Sequence, residues 1–316
     1  CLALATNARG DDQPEEEPER VTVGIYVNAV TGVSLREGCA TVDFWLWCRW
    51  KKADYNPMES LEVVNGTISS RTSEMTKELD GGEKYAVCRM TADLRQRWDI
   101  HSFPLDSQNL RMRIEDAENE EHLVLLVPDA SNTKLDPGVA IAGWDIVSHS
   151  LVSETHRYST NYGDTSLAAD EAMNYSSLLF SIDLVRPGWG LFVKLFAGLA
   201  VATGLSFLSL LIRPIDLDPR FGLAVGGIFA AVASQYVLAS ALPDTTEITM
   251  ADQLCMCSMV FIFLALIESV ISLKIYYLEW VNASRLLDIA SCVLFTATYT
   301  LICTAFVYYA VVPHAE

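Results

Sequence analysis

Arg220-Phe-Gly-Leu-Ala-Val-Gly-Gly-Ile-Phe-Ala-Ala-Val-Ala-Ser-Gln-Tyr-Val-Leu-Ala-Ser240 is the stretch on which the reading of this chain turns. It is long enough to span a membrane, since a helix needs roughly 20 residues to cross about 30 Å of hydrocarbon. It is not uniformly oily, however. Steps of three and four residues collect Gly222, Gly226, Phe229, Ala233, Tyr236 and Ser240 on one face, while Leu223, Val225, Ile228, Val232 and Val237 fall off it. At 1.5 Å per residue that face rises about 27 Å, enough to line a membrane. Tight helix packing through small residues is one explanation of the stripe. The acids Asp216 and Asp218 at its start support another, a water-facing helix whose charged mouth selects ions.

Three further apolar runs flank this one: Trp189 to Ile212, Met250 to Tyr277 and Leu286 to Val312, with the central run itself reaching from Pro219 to Leu242. The links between them are short. Arg213, Arg220, Lys274 and Arg285 gather at the first and third links, whereas Asp244, Glu247 and Asp252 gather at the second. The positive-inside bias therefore sets everything before Arg186 outside, in the periplasm or extracellular space of a multi-pass plasma (inner) membrane protein. Two charges lie inside the runs. Lys194 is near an end and can snorkel; Glu268 cannot, and either pairs with a neighbouring helix or takes part in gating.

Charge divides the 316 residues the same way. Residues 1–186 hold 31 acids and 17 bases, net −14, and the remainder 9 acids and 5 bases, within a total of −18. Such a balance excludes a nucleic-acid binder, which needs a basic footprint. Residues 1–19 read as a signal-peptide remnant followed by a disordered acidic segment. From residue 20 to 185 short alternating runs, among them Val21–Val27, Thr41–Trp50, Leu110–Ile114 and Ser177–Leu184, predict an antiparallel β-sandwich. No nucleophile elbow, paired-histidine motif or phosphate loop occurs, so no catalytic residue is expected. Cys1, Cys39, Cys48 and Cys88 lack metal-ligand spacing, and a disulfide among the last three is left open.

Several stretches then resemble one family in its own order. Trp98-Asp-Ile-His-Ser-Phe-Pro-Leu-Asp-Ser-Gln-Asn-Leu110 is similar to the central loop of the pentameric ligand-gated ion channels. The cysteines that bracket this loop in the animal Cys-loop receptors are replaced by Gln96 and Leu110, as in bacterial members. Trp50-Lys-Lys-Ala-Asp54, Asn56-Pro57 through Val64-Asn65, Gly143-Trp144-Asp145-Ile146, Arg186-Pro187, Pro243 and Ile267-Glu268 resemble further family positions. The resemblance covers about residues 20–312.

The resemblance implies an extracellular ligand-binding β-sandwich (20–185), a transmembrane four-helix channel domain (186–316) and a homopentamer with the second spans around the pore. Asp218, Gly222, Gly226, Phe229, Ala233, Tyr236 and Ser240 would line that pore, with five Phe229 rings as a dewetting gate. Arg220 resembles the inner mouth of anion channels, whereas Asp218 lies near the acid of cation channels. The acidic outer half favours cations such as Na⁺ or K⁺, with Arg220 turned sideways into its neighbours. Glu37 and Asp106 would meet Arg186 in a cluster that couples the halves or merely staples them. At subunit interfaces Trp45, Trp47 and Arg89 would face Asp116, Glu118, Glu120, Tyr158 and Tyr162 of the next subunit. Aromatic faces and acids there suit amines, protons or a modulating Ca²⁺ held by Asp116, Glu118 and Glu120. A non-conducting receptor or scaffold and an anion-selective channel of the same fold are the alternatives.

Overall fold

A computed structural model describes residues 17–163 and 173–312. The reading of the N-terminus, including Cys1, falls almost entirely outside them. The first half is built from two packed sheets. One takes its order β4-β5-β2-β1-β7, from β4 (Gly66–Glu78), β5 (Lys84–Arg95), β2 (Cys39–Trp50), β1 (Glu19–Ser34) and β7 (Val124–Pro128), with β8 (Lys134–Leu135) also on β1. The other runs β3-β6-β10-β9, from β3 (Leu61–Val63), β6 (Ser107–Asp116), β10 (Met173–Val185) and β9 (Asp145–Tyr158). A single turn, α1 (Pro57–Ser60), starts on the Asn56 cap and leads into β3.

β2 shows why the sequence folds this way. Ala40, Val42, Phe44, Leu46, Cys48 and Trp50 point inward and are buried, while Thr41, Asp43, Trp45, Trp47 and Arg49 alternate on the outer face. Opposite them, Leu110, Met112, Ile114, Leu178, Phe180 and Ile182 supply the other wall of the core. Each such side chain contributes about 1.5–3 kcal/mol through burial. The sandwich is not purely antiparallel as expected. β1 pairs in parallel with β7 and β8, because the chain crosses from β6 to the opposite sheet before β7 begins. Cys39, Cys48 and Cys88 are free thiols, so the disulfide left open does not form.

Four helices long and apolar enough to cross a membrane follow: α2 (Gly190–Ser209), α3 (Leu217–Ala241), α4 (Met250–Tyr277) and α5 (Val281–Val311). The architecture is that of a multi-pass membrane protein with a β domain at one end. α4 begins on a capping box between Thr249 and Asp252. Along the exposed α5, Thr296, Thr300 and Thr304 each donate to the carbonyl four residues earlier at 2.7–2.8 Å, which satisfies their hydroxyls without water. Phe207, Phe261, Phe295 and Tyr299 join α2, α4 and α5 through ring contacts of 5.6–6.2 Å.

The two halves touch through named contacts. Met250 N–H donates to the His101 carbonyl at 2.9 Å, Arg36 Nη1 to the Ser240 carbonyl at 3.1 Å, and Ser102 Oγ to the Ala310 carbonyl at 2.8 Å. Arg97 pairs with Glu247. The loop between β5 and β6 therefore rests on the helix ends nearest the β domain.

Candidate functional site

α3 has two unlike faces. Its packed face carries Arg220, Ala224, Gly227, Ala231 and Leu238, all buried. A Cβ on Gly227 would collide with Ser206 Oγ of α2 and lie 3.2 Å from the Ala202 carbonyl, so this glycine permits close approach. Gly222 and Gly226 face open space instead. Asp218, Gly222, Gly226, Phe229, Ala233, Tyr236 and Ser240 are all exposed, Phe229 by 71% and Tyr236 by 75%. Within one chain, then, the stripe does not serve helix packing; the small residues that do so lie on the opposite face.

Arg220 points away from the stripe and is fully buried. Its Nη2 donates to Glu268 Oε2 at 2.9 Å and Asp288 Oδ1 at 2.6 Å, Nε to Ser269 Oγ at 2.9 Å, and Nη1 to the Ile212 carbonyl at 3.1 Å. One guanidinium thus ties α3, α4, α5 and the link between α2 and α3 together, remote from the β domain. Glu268 pairs with a neighbouring helix, as one of its two expected roles requires, while its Oε1 has no partner among the described residues. Asp288 escaped the sequence reading, although a lone acid near the start of an apolar run is itself a signal of a buried partner.

A second cluster joins the halves. Arg186 directly follows β10, and its Nε donates to Asp106 Oδ1 at 3.2 Å. Gln108 Nε2 holds the other Asp106 oxygen at 2.7 Å. The guanidinium carbon lies 3.8 Å from the Trp144 ring centroid and 5.7 Å from that of Phe103. Glu37 does not join, contrary to expectation. It lies in the exposed turn between β1 and β2, where its N–H donates to Ser34 Oγ and its carboxylate makes no ion pair among the described residues. That turn lines a cavity of about 290 Å³ with Arg97, Pro243 and Glu247. The reason is topological: β1 and β2 belong to one sheet, and Arg186 leaves the other.

A third group sits at the far end of β9 and β10. Buried Glu115 meets His156 Nδ1 at 2.6 Å and accepts from Tyr158 OH at 2.8 Å. Tyr158 lies 5.5 Å from Tyr175 and 5.7 Å from Tyr162, ring to ring. Glu62, Glu115, Asp116, Ala117 and these three tyrosines line a pocket of about 370 Å³, and among the described residues no Lys or Arg lines it. Burial, reinforced by the bond to Glu115, raises the Tyr158 pKa, so its phenol stays protonated. Sequence reasoning placed the loop from Glu115, with Asp116, and Tyr158 and Tyr162 here but missed Glu62, His156 and Tyr175, which the strand register brings alongside.

Asp116, expected in the binding set, lines this pocket and has a structural part as well. Its Oδ1 accepts from the N–H groups of Glu118 and Asn119 and from Asn119 Nδ2; its Oδ2 accepts from Ser60 Oγ and Tyr55 OH. With both oxygens engaged it organises the loop. Among the described residues no three His, Cys, Asp or Glu side chains of one chain gather to hold a metal.

Trp45, Trp47 and Arg89 share the outer face of the other sheet, with Arg89 directly across from Trp45. Arg89 Nε pairs with Asp43 Oδ1 at 3.1 Å, and Trp47 Nε1 donates to Asp129 Oδ2 at 3.2 Å. Desolvation raises the Asp129 pKa, but bonds from Asn132, Trp47 and Ser131 and the Arg49 charge outweigh it and hold it below the ordinary carboxylate value. Facing outward from different sheets, this set and the tyrosine pocket do not meet within one chain. No protein-family model and no curated protein matches this chain.

Proposed function

We propose that the chain is one subunit of a homopentameric, ligand-gated cation channel resembling the bacterial pentameric channels. The observation that carries this reading is the division of α3. Its only arginine is buried against two carboxylates, while Asp218 and the stripe from Gly222 to Ser240 stay uncovered. Five such helices around an axis would enclose a path with acids at its mouth, no positive ring and a phenyl constriction at mid-height. The burial of Arg220 also argues against the anion-selective alternative.

In that assembly the tyrosine pocket of one subunit would face Trp45, Trp47 and Arg89 of the next. Three aromatic rings with the carboxylates of Glu62, Glu115 and Asp116 suit a small cation, an amine in the first instance. Binding there would pull on β9 and β10 and reach the helices through Asp106 and Arg186. The β domain lies outside the membrane on this reading, which rests on the distribution of Arg and Lys among the links.

Purified protein in planar bilayers tests the proposal by ion substitution, with ethylammonium and a pH series as the stimuli. A current whose reversal potential follows the Na⁺ or K⁺ gradient, altered by Phe229→Ala, is the expected result. Reversal following Cl⁻ would overturn cation selectivity. A pentamer silent under every stimulus would favour a non-conducting receptor.

A further inference from the structure

The ladder between β9 and β10 runs from Tyr158 opposite Met173 to Asp145 opposite Val185. Continued by one rung, it sets Trp144 opposite Arg186. This hairpin therefore carries the tyrosine pocket at one end and the 3.8 Å stack of guanidinium on indole at the other. The local backbone holds the stack in place. Trp144 N–H donates to the Ile141 carbonyl at 3.0 Å, closing a four-residue turn whose third residue, Gly143, has φ +80°. That position favours glycine, and the Gly143 carbonyl accepts from Arg186 Nη1 at 3.4 Å. A Cβ on Gly143 would lie 3.4 Å from the same Nη1. Trp144 is 6% exposed, so its ring face is given to the guanidinium rather than to water.

We propose that Trp144 is the positioning residue of the domain junction: its indole face fixes the plane of the Arg186 guanidinium and so fastens the base of the β9–β10 hairpin to the start of α2. Asp106 alone leaves the guanidinium free to rotate about one hydrogen bond. A flat ring at van der Waals distance removes that freedom, and the Phe103 ring stands 5.7 Å from the same carbon. The absence of Glu37 from the cluster fits this arrangement, since ring faces stand where a second carboxylate was expected. A displacement of the hairpin at its tyrosine end then moves Arg186 with it instead of slipping past it. The gating part of this inference rests on the channel reading; the fastening part does not.

The experiment is a double-substitution cycle on the full-length protein in lipid nanodiscs, read by amide hydrogen exchange over residues 186–192. Trp144→Leu should speed exchange there roughly tenfold, and Trp144→Phe, which keeps a ring face, by less than about threefold. In an Arg186→Met background, Trp144→Leu should add no more than about twofold. Equal losses in both backgrounds, or a Phe variant as fast as the Leu variant, would mean that Trp144 merely packs its own turn, and the proposal fails. Bilayer recordings form the second arm. If the parent conducts, Trp144→Leu should lower the maximal response several-fold more than it moves the half-maximal stimulus, with ion selectivity unchanged. An unaltered response overturns the gating role. A silent parent sinks the channel reading while the exchange cycle still decides the fastening.

Discussion

Arg186 and Arg220 carry the same charge at two depths of one molecule and are compensated in different currencies. Arg186, with 13% of its side chain exposed, is held by one carboxylate, a backbone carbonyl and the faces of Trp144 and Phe103. Arg220, wholly buried among apolar helices, takes two carboxylates, a serine and a carbonyl. Near water a flat, polarisable surface and a single countercharge suffice. Within the helix bundle every donor must find an oxygen, because nothing else will solvate it. The difference predicts how each site fails.

Arg220 should fail worst. Arg220→Met leaves Glu268 and Asp288 buried beside each other with no countercharge, and breaking a buried pair by removing one partner costs about 3–5 kcal/mol. Thermal unfolding in detergent should show a larger loss than Arg186→Met, Gly227→Ala or Asp129→Asn produces. Replacing Glu268 and Asp288 by leucine in the same variant should recover most of it, since well-packed apolar groups replace buried ion pairs with little penalty. A triple variant as unstable as the single one would show that α3, α4 and α5 depend on the charges themselves.

Arg186→Met comes next. It strips Asp106 of its charged partner but leaves the Gln108 bond, so a loss of about 1.5–3 kcal/mol is expected in the same assay. A loss equal to that of Arg220→Met would erase the proposed difference between the two environments.

The two faces of α3 extend the comparison to smaller effects. Gly227→Ala should destabilise by about 1–3 kcal/mol, because the new methyl meets Ser206 and the Ala202 carbonyl. Gly226→Ala enters open space and should be neutral or stabilising by up to about 1 kcal/mol, from helix propensity. On the channel reading its effect appears in conductance rather than in unfolding. Equal destabilisation by both would mean that the exposed stripe is a packing face after all.

How much of this was legible in the sequence follows from whether partners lie nearby in the chain. The four helices were legible because an apolar run declares itself locally, and the alternation of β2 likewise. β4 was missed, and so was the far part of β9, since their residues are mostly exposed on both faces and show no period. The parallel pairing of β1 with β7 depends on a crossover that no local pattern encodes. At the sites, the stripe on α3 was visible as a spacing, but Asp288 was not, its partner lying 68 residues earlier. Glu37 was placed by resemblance and Trp144 quoted without a role. Only the register of β9 on β10 shows that the tryptophan, not the glutamate, faces Arg186.

A third arginine completes the series at its watery end and carries the smallest expected effect. Arg49 is 37% exposed and stands 3.7 Å from Asp129. Exposed pairs of this kind contribute at most about 1 kcal/mol. The carboxylate nevertheless leaves a mark on pH dependence, because hydrogen bonds and the Arg49 charge outweigh desolvation and keep the Asp129 pKa low. A group depressed in the folded state contributes stability that is fully present above its unfolded pKa, near 3.9, and that is lost as pH falls through its folded value. Asp43 is depressed as well, with bonds from Asn28 and Arg89 outweighing its desolvation. Unfolding of the β domain followed by tryptophan fluorescence should therefore show stability falling as pH drops below about 4. Asp129→Asn should flatten that limb without changing its neutral plateau by more than about 1 kcal/mol. Arg49→Met should flatten it less, since the hydrogen bonds from Asn132, Trp47 and Ser131 each hold the pKa down more than the Arg49 charge does. If Arg49→Met instead abolished the acid limb, charge pairing would govern even the exposed end of the series, and burial would not be the variable that separates the three arginines.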